Sequence, residues 1–121
     1  MKYPWLDEYC QAKQACIKDF KAEWNATRYL VGNKMFALCG KDNQGREIIT
    51  LKTEPHYGLS LRQENPDIIA GYYMNKMHWN SVFLDGNVPD KLLKEMIDES
   101  YLLIFNGLSK KLQKELKEIV E

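Results

Sequence analysis

Residues 27–53 read T-R-Y-L-V-G-N-K-M-F-A-L-C-G-K-D-N-Q-G-R-E-I-I-T-L-K-T, and this stretch decides the fold class. Three runs rich in β-branched, aromatic and aliphatic residues, Thr27 to Val31, Lys34 to Cys39 and Glu47 to Thr53, are separated by turn-forming residues. Gly32-Asn33 is a two-residue turn of the Gly-X kind that joins antiparallel strands, and Gly40 to Gly45 is a longer turn. The reading is two successive hairpins. Side chains alternate along a strand, so Arg28 shares a face with Leu30, and Tyr29 shares the other with Val31.

Outward from the hairpins the period changes. On the N-terminal side Pro4 suits a first helical position, because it has no N–H to leave unpaired. Trp5, Leu6, Tyr9 and Cys10 then form one apolar stripe, with Asp7 and Glu8 near the positive helix end. Residues 19–26 read as an irregular connection with at most a short strand. On the C-terminal side Glu54-Pro55 starts a short helix that ends by Asn65, since Pro66 disfavours helix in the residue before it. Residues 66–75 read as a loop, His78 to Leu84 as a fourth strand and Asp85-Gly86-Asn87 as a turn. Leu92, Leu93, Met96, Ile97, Tyr101 and Ile104 make a wide helical stripe, with Ser100 near its middle and Asp98 opposite. Asn106-Gly107 stops that helix. Ser109 caps a last one, whose Leu112, Leu116, Ile119 and Val120 are expected to face the core. The expected architecture is one α+β domain over residues 1–121: a two-layer sandwich, with an antiparallel sheet, helices packed on one face and water on the other.

Composition bounds the function. The chain has 121 residues, 45% hydrophobic and 28% charged, the balance of a globular protein. No run approaches the ~20 apolar residues of a membrane span, and no apolar run behind Lys2 suggests a signal peptide. Seventeen basic residues balance seventeen acidic ones, which argues against a purely electrostatic nucleic-acid binder. Cys10, Cys16 and Cys39 form no C-x-x-C pair, so three reduced thiols and a cytoplasmic location are expected. Cys39 has no neighbouring His or cation in sequence to activate it.

Catalytic and metal patterns are weak. His56 and His78 are the two histidines, no G-x-S-x-G occurs, and Ser100 points inward, so no catalytic residue is assigned and no enzyme is expected. Asp98-Glu99 and Glu115 with Glu118 are paired carboxylates without the Glu-x-x-His spacing of a helical metal site, so neither metal nor cofactor is expected.

Binding chemistry concentrates in Gly71 to Asn80, G-Y-Y-M-N-K-M-H-W-N. Its aromatics offer stacking faces, Asn and His offer hydrogen bonds, and Lys76 offers a phosphate contact. Residues 26–84 carry two more basic than acidic side chains, and residues 85–121 two fewer. The small positive excess therefore falls on the hairpins and this loop.

Three pieces together resemble the MmcQ/YjbR family of small bacterial proteins. Gly32-Asn33-Lys34-Met35-Phe36-Ala37 is similar to its G-x-K-M-F-A strand. Gly71 to Asn80 is similar to its G-Y-H-M-N-K-x-H-W-N, with Tyr73 where the family has His. Asp98-Glu99-Ser100-Tyr101 is similar to its I-D-x-S-Y helix. Residues 19–24 match the family's D-Y-P-F-G stretch loosely. The resemblance implies a CyaY-like fold and carries a DNA-binding label, by way of a double-wing arrangement of hairpins. On that label Arg28, Lys34, Lys52 and Lys76 would contact phosphates, while Asn75, His78 and Asn80 would hydrogen-bond. Trp79, Ser100 and Tyr101 are structural expectations, with Trp79 anchoring the sheet to the helices. The alternative is a non-enzymatic adaptor that uses the same loop as a pocket wall for a protein or small ligand. A frataxin-like metal binder would want an acidic ridge on the first helix, where Asp7 and Glu8 are thin support. Oligomeric state is open.

Overall fold

The computed structural model describes residues 2–72 and 74–119. Helix α1 (Leu6–Gln11) leads into β1 (Ile17–Lys21) and a 3-10 turn (Ala22–Trp24). Strands β2 (Ala26–Val31), β3 (Lys34–Lys41) and β4 (Glu47–Lys52) follow, then α2 (Pro55–Glu64), β5 (Ile68–Ala70) and β6 (Trp79–Phe83). Helices α3 (Asp90–Asn106) and α4 (Lys110–Lys117) finish the chain. The six strands form one antiparallel sheet in the order β1-β2-β3-β4-β6-β5. This is the α+β sandwich expected from the hairpins.

Two strands exceed the expectation. Ile17–Lys21 is a full edge strand in register with β2 (Ile17 opposite Leu30, Lys21 opposite Ala26). Ile68–Ala70 is the opposite edge, paired with β6. Neither leaves a pattern to read: β1 has no buried residue, and β5 is three residues long. The β2–β3 turn also differs. Gly32 and Asn33 both have positive φ, +57° and +65°, which makes a type I′ turn, not the Gly-X type.

The helix starts follow their chemistry. The Glu54 carboxylate accepts the His56 and Tyr57 N–H groups at 3.0 and 2.9 Å, and Pro55 fills the first helical position. The Ser109 hydroxyl accepts the Leu112 N–H at 3.1 Å. On α4, Leu112 and Leu116 are half-buried, but Ile119 is exposed and Gln113 takes the buried position instead. The Gln113 amide donates to the carbonyls of Asn106 and Leu108, closing the end of α3. Val120 lies outside the described residues.

The core is built from one sheet face and α3. Tyr29, Val31, Phe36, Ile49, Leu51 and Val82 meet Leu93, Met96 and Ile97, with Leu6 and Cys10 of α1 closing one side. Asp98, on the far side of the stripe, is not simply solvated. It accepts the Tyr9 hydroxyl at 2.7 Å and pairs with the Lys13 ammonium. Burial first, and then this bond, push the Tyr9 hydroxyl up to about 12.

Ser100 is fully buried, as its place in the stripe predicts. The β3–β4 register ends at Ala37 opposite Leu51, beside the bulge where β3 shifts against β2. Phe36 and Lys52 would be the next pair. The Ser100 hydroxyl stands between them, accepting the Lys52 N–H at 2.8 Å and donating to the Phe36 carbonyl at 2.5 Å. A helix side chain thus completes the ladder where the strands part. Tyr101, next in the chain, donates its hydroxyl to the Gln14 carbonyl at 2.7 Å and meets Phe36 edge-on.

Candidate functional site

The strand that decides the site is β4. Ile49 and Leu51 point to the helices, so Ile48 and Thr50 point to the face that the hairpin reading leaves wet. Yet Ile48, Ile49, Thr50 and Leu51 are all buried, at 4%, 0%, 1% and 0% exposure. Something covers the helix-free face at its centre. On one side it is the 3-10 turn with Trp24, and on the other the 71–78 loop with Tyr72 and Met74.

Between these two covers lies a cavity of about 410 Å³. Leu38, Ile48 and Thr50 make its floor, Trp24, Tyr72 and Met74 its walls, and Glu23 and Lys41 also line it. Register explains the floor. Leu38 lies opposite Thr50, which lies opposite Ser81, in one row across three strands. The Thr50 and Ser81 hydroxyls are 2.7 Å apart and buried, and Ser81 Oγ accepts the Tyr72 N–H at 3.0 Å. The loop is therefore pinned to the sheet through a side chain of β6. Gly71 makes the close approach possible, because its N–H donates to the Trp79 carbonyl at 2.7 Å and a Cβ there would sit 2.7 Å from Trp79 Cβ.

Trp24 is 52% exposed, with the Lys21 ammonium 5.2 Å and the Arg28 guanidinium 6.0 Å from its ring centroid. Both cations are spent locally. Arg28 donates to Asp19 at 2.8 and 2.5 Å, which lowers the Asp19 carboxyl and raises the guanidinium. Lys21 lies 3.6 Å from Glu23.

Of the residues expected to touch nucleic acid, Arg28 and Asn80 are engaged within the fold. Arg28 is half-buried in its carboxylate pair. Asn80 is fully buried on the helix side, a correction to its expected role. Its oxygen accepts the Arg62 guanidinium at 2.6 Å and its amide donates to the Gly58 carbonyl at 3.1 Å, tying α2 to β6. Lys34, Asn75 and Lys76 are exposed, and Lys52 and His78 are half-buried. Asn75 organises its own loop, its side chain accepting the Met77 N–H at 2.9 Å and its carbonyl the Trp79 N–H at 3.0 Å. The Lys76 ammonium lies 3.4 Å from the Gly71 carbonyl.

Trp79 also departs from expectation. It pairs with Lys52 on the helix-free face and is half-buried, so it does not anchor the sheet to the helices. Tyr73 lies outside the described residues. Burial, and next the Asp7 carboxylate, push the Cys39 thiol up to about 12, so it is protonated at neutral pH and a poor nucleophile. Among the described residues no three His, Cys, Asp or Glu side chains converge as a metal would require, and no helix is long and apolar enough to cross a membrane.

Trp24, Leu38, Ile48 and Thr50 were not singled out by sequence reasoning. A signal was present: Ile48-Ile49-Thr50-Leu51 does not alternate, which is the mark of a strand covered on both faces.

The YjbR family model matches residues 11–103. The chain is 33% identical over 114 residues to the Escherichia coli K-12 protein YjbR, covering 94% of this chain and 96% of that one. It is 32% identical to the Bacillus subtilis protein YyaQ, over 84% of this chain and 81% of that one. The crystal structure of a Deinococcus radiodurans protein superposes with a TM-score of 0.83 at 35% identity, covering 93% of this chain and 85% of that one. That of a Pseudomonas syringae protein does so with a TM-score of 0.73 at 26% identity, over 86% and 99%.

Proposed function

The chain belongs to the YjbR family, and on that premise we propose that it is a non-enzymatic binding module for a small, largely apolar molecule, held in the cavity on the helix-free sheet face. The observation that carries this reading is the burial of both faces of β4 under a loop and a turn that leave space between them. A sheet face shielded from water but not filled by side chains suits a ligand, and ~400 Å³ lies within the range of small-molecule sites. The motif segment 71–80 fits here as a wall, through Tyr72 and Met74, in the way the adaptor reading requires.

DNA contact is the second reading. It keeps Lys34, Lys52 and Lys76 as cations with no ion-pair partner among the described residues, and it loses Arg28 to Asp19 and Asn80 to the core. Three phosphate contacts at ~0.9 each would give a log–log salt slope near −3 on duplex DNA.

Two titrations separate the readings. 1-Anilinonaphthalene-8-sulfonate added to the folded protein is expected to brighten on binding. Trp24→Ala should abolish that signal at an unchanged melting temperature, because Trp24 is half exposed. Fluorescence anisotropy with a labelled duplex and a labelled single strand, at two salt concentrations, should show no binding. Dye binding that survives Trp24→Ala, together with a salt slope near −3, would replace the cavity reading by the DNA one.

A further inference from the structure

We infer that β1 is a docking edge for a second copy of this chain. The two β1 strands run antiparallel about a twofold axis at Phe20 and join two sheets into one. β1 ends the strand order and pairs with β2 alone, so the N–H and C=O groups on its other side meet no strand. Such an edge is a template for further pairing unless it is guarded. The usual guards are weak here. β1 holds no proline, and its five residues pair with β2 in unbroken register. Its charges are matched within the chain: Lys18 lies 2.7 Å from Asp7, Asp19 2.5 Å from Arg28 and Lys21 3.6 Å from Glu23. Phe20 is 61% exposed. The chain as a whole carries no net charge, so two copies do not repel each other.

Symmetry and charge select the register. A twofold axis that joins two antiparallel edges stands perpendicular to the sheet and keeps each face on its own side. Side chains alternate between the faces, so the axis must fall on a residue that meets its own copy. An axis at Lys18 or Lys21 sets like charges directly opposite, which is destabilising. An axis at Asp19 pairs all five residues but brings the two carboxylates face to face. An axis at Ile17 pairs the edge through residues 15 and 16, outside β1, where Ala15 has a φ of +61°. An axis at Phe20 sets that exposed ring against the partner's Phe20, and twice sets Asp19 opposite Lys21 of the partner subunit. Asp19 and Lys21 lie two residues apart on one face. The Asp19 carboxylate takes two bonds from Arg28 and keeps lone pairs for a further donor. Lys21, held only at 3.6 Å by Glu23, is the donor this register supplies.

The test is analytical ultracentrifugation of the full chain over a concentration series reaching ~1 mM. The expected mass rises from the 14.2 kDa of one chain to twice that value. Amide hydrogen exchange should slow with concentration on the outer side of β1 and stay unchanged in β5. Phe20→Lys, at an exposed position, should leave the chain folded by circular dichroism and monomeric throughout. Lys21→Glu and Asp19→Lys each set like charges across the axis twice, and each should weaken association about tenfold or more. Mixing these two variants places opposite charges at both sites, so the mixture should associate where neither variant does alone. A mass of one chain at every concentration would overturn the inference. So would a dimer that survives both Phe20→Lys and Lys21→Glu, because its interface would lie elsewhere.

Discussion

Removing the Ser100 hydroxyl tests the account of how helix and sheet are joined. Ser100→Ala deletes one oxygen and leaves two backbone groups behind, the Lys52 N–H and the Phe36 carbonyl, which it now holds at 2.8 and 2.5 Å. Ser100 is fully buried, so water does not simply take its place. Each stranded buried group costs about 1–3 kcal/mol. The carbonyl falls at the lower end, since under-satisfied carbonyls are better tolerated than orphaned N–H groups. The expected loss is ~2–4 kcal/mol. For a domain of this size one kcal/mol moves the melting temperature by roughly 3–4 °C, so the midpoint should fall by about 6–16 °C. Thermal unfolding by circular dichroism measures it, and hydrogen exchange at the Lys52 amide locates it. Ser109→Ala is the comparison: that hydroxyl caps α4 at the surface, and its loss should cost only ~1 kcal/mol. A drop of less than ~3 °C for Ser100→Ala, with the Lys52 amide still protected, would refute the idea that the hydroxyl completes the ladder.

Asn80→Ala should cost ~2–3 kcal/mol, because it strands the Gly58 carbonyl and removes the Arg62 partner inside the fold. Urea denaturation reads this, and a neutral effect would return Asn80 to the list of free binding groups. Asp7 carries a pH dependence. A hydrogen bond from Lys18, then one from Tyr29, hold its carboxyl below the ordinary range. A depressed folded value means stability that is fully present above the ordinary pKa near ~4 and is lost as the pH falls through the folded value. The stability difference between the native chain and Asp7→Asn should therefore be flat above pH ~5 and shrink below pH ~4. A difference that stays constant down to pH ~3 would sink this assignment.

The sequence by itself determined the two central hairpins, the position of every helix and the burial of Ser100. Each of these rests on local physics: β-branched runs broken by Gly and Asn, caps that pair orphan N–H groups, and a 3.6-residue stripe that places one hydroxyl among Leu93, Ile97 and Ile104. It also carried the family, through motifs long enough to be read as strings. Where local physics is silent, only the tertiary structure decides. The edge strands β1 and β5 carry little burial pattern, β1 because none of its residues is buried and β5 because it is three residues long, so pairing makes them strands. Asn80 and Arg28 look like ligand groups in a list of residues, and their partners, Gly58 with Arg62 and Asp19, come from other elements. The cavity has the same origin: Trp24 and Tyr72 are separated by 48 positions, and the antiparallel register of β2, β3 and β4 sets between them the floor they share. No periodicity along one chain encodes that meeting, because a cavity is defined by what several strands fail to fill.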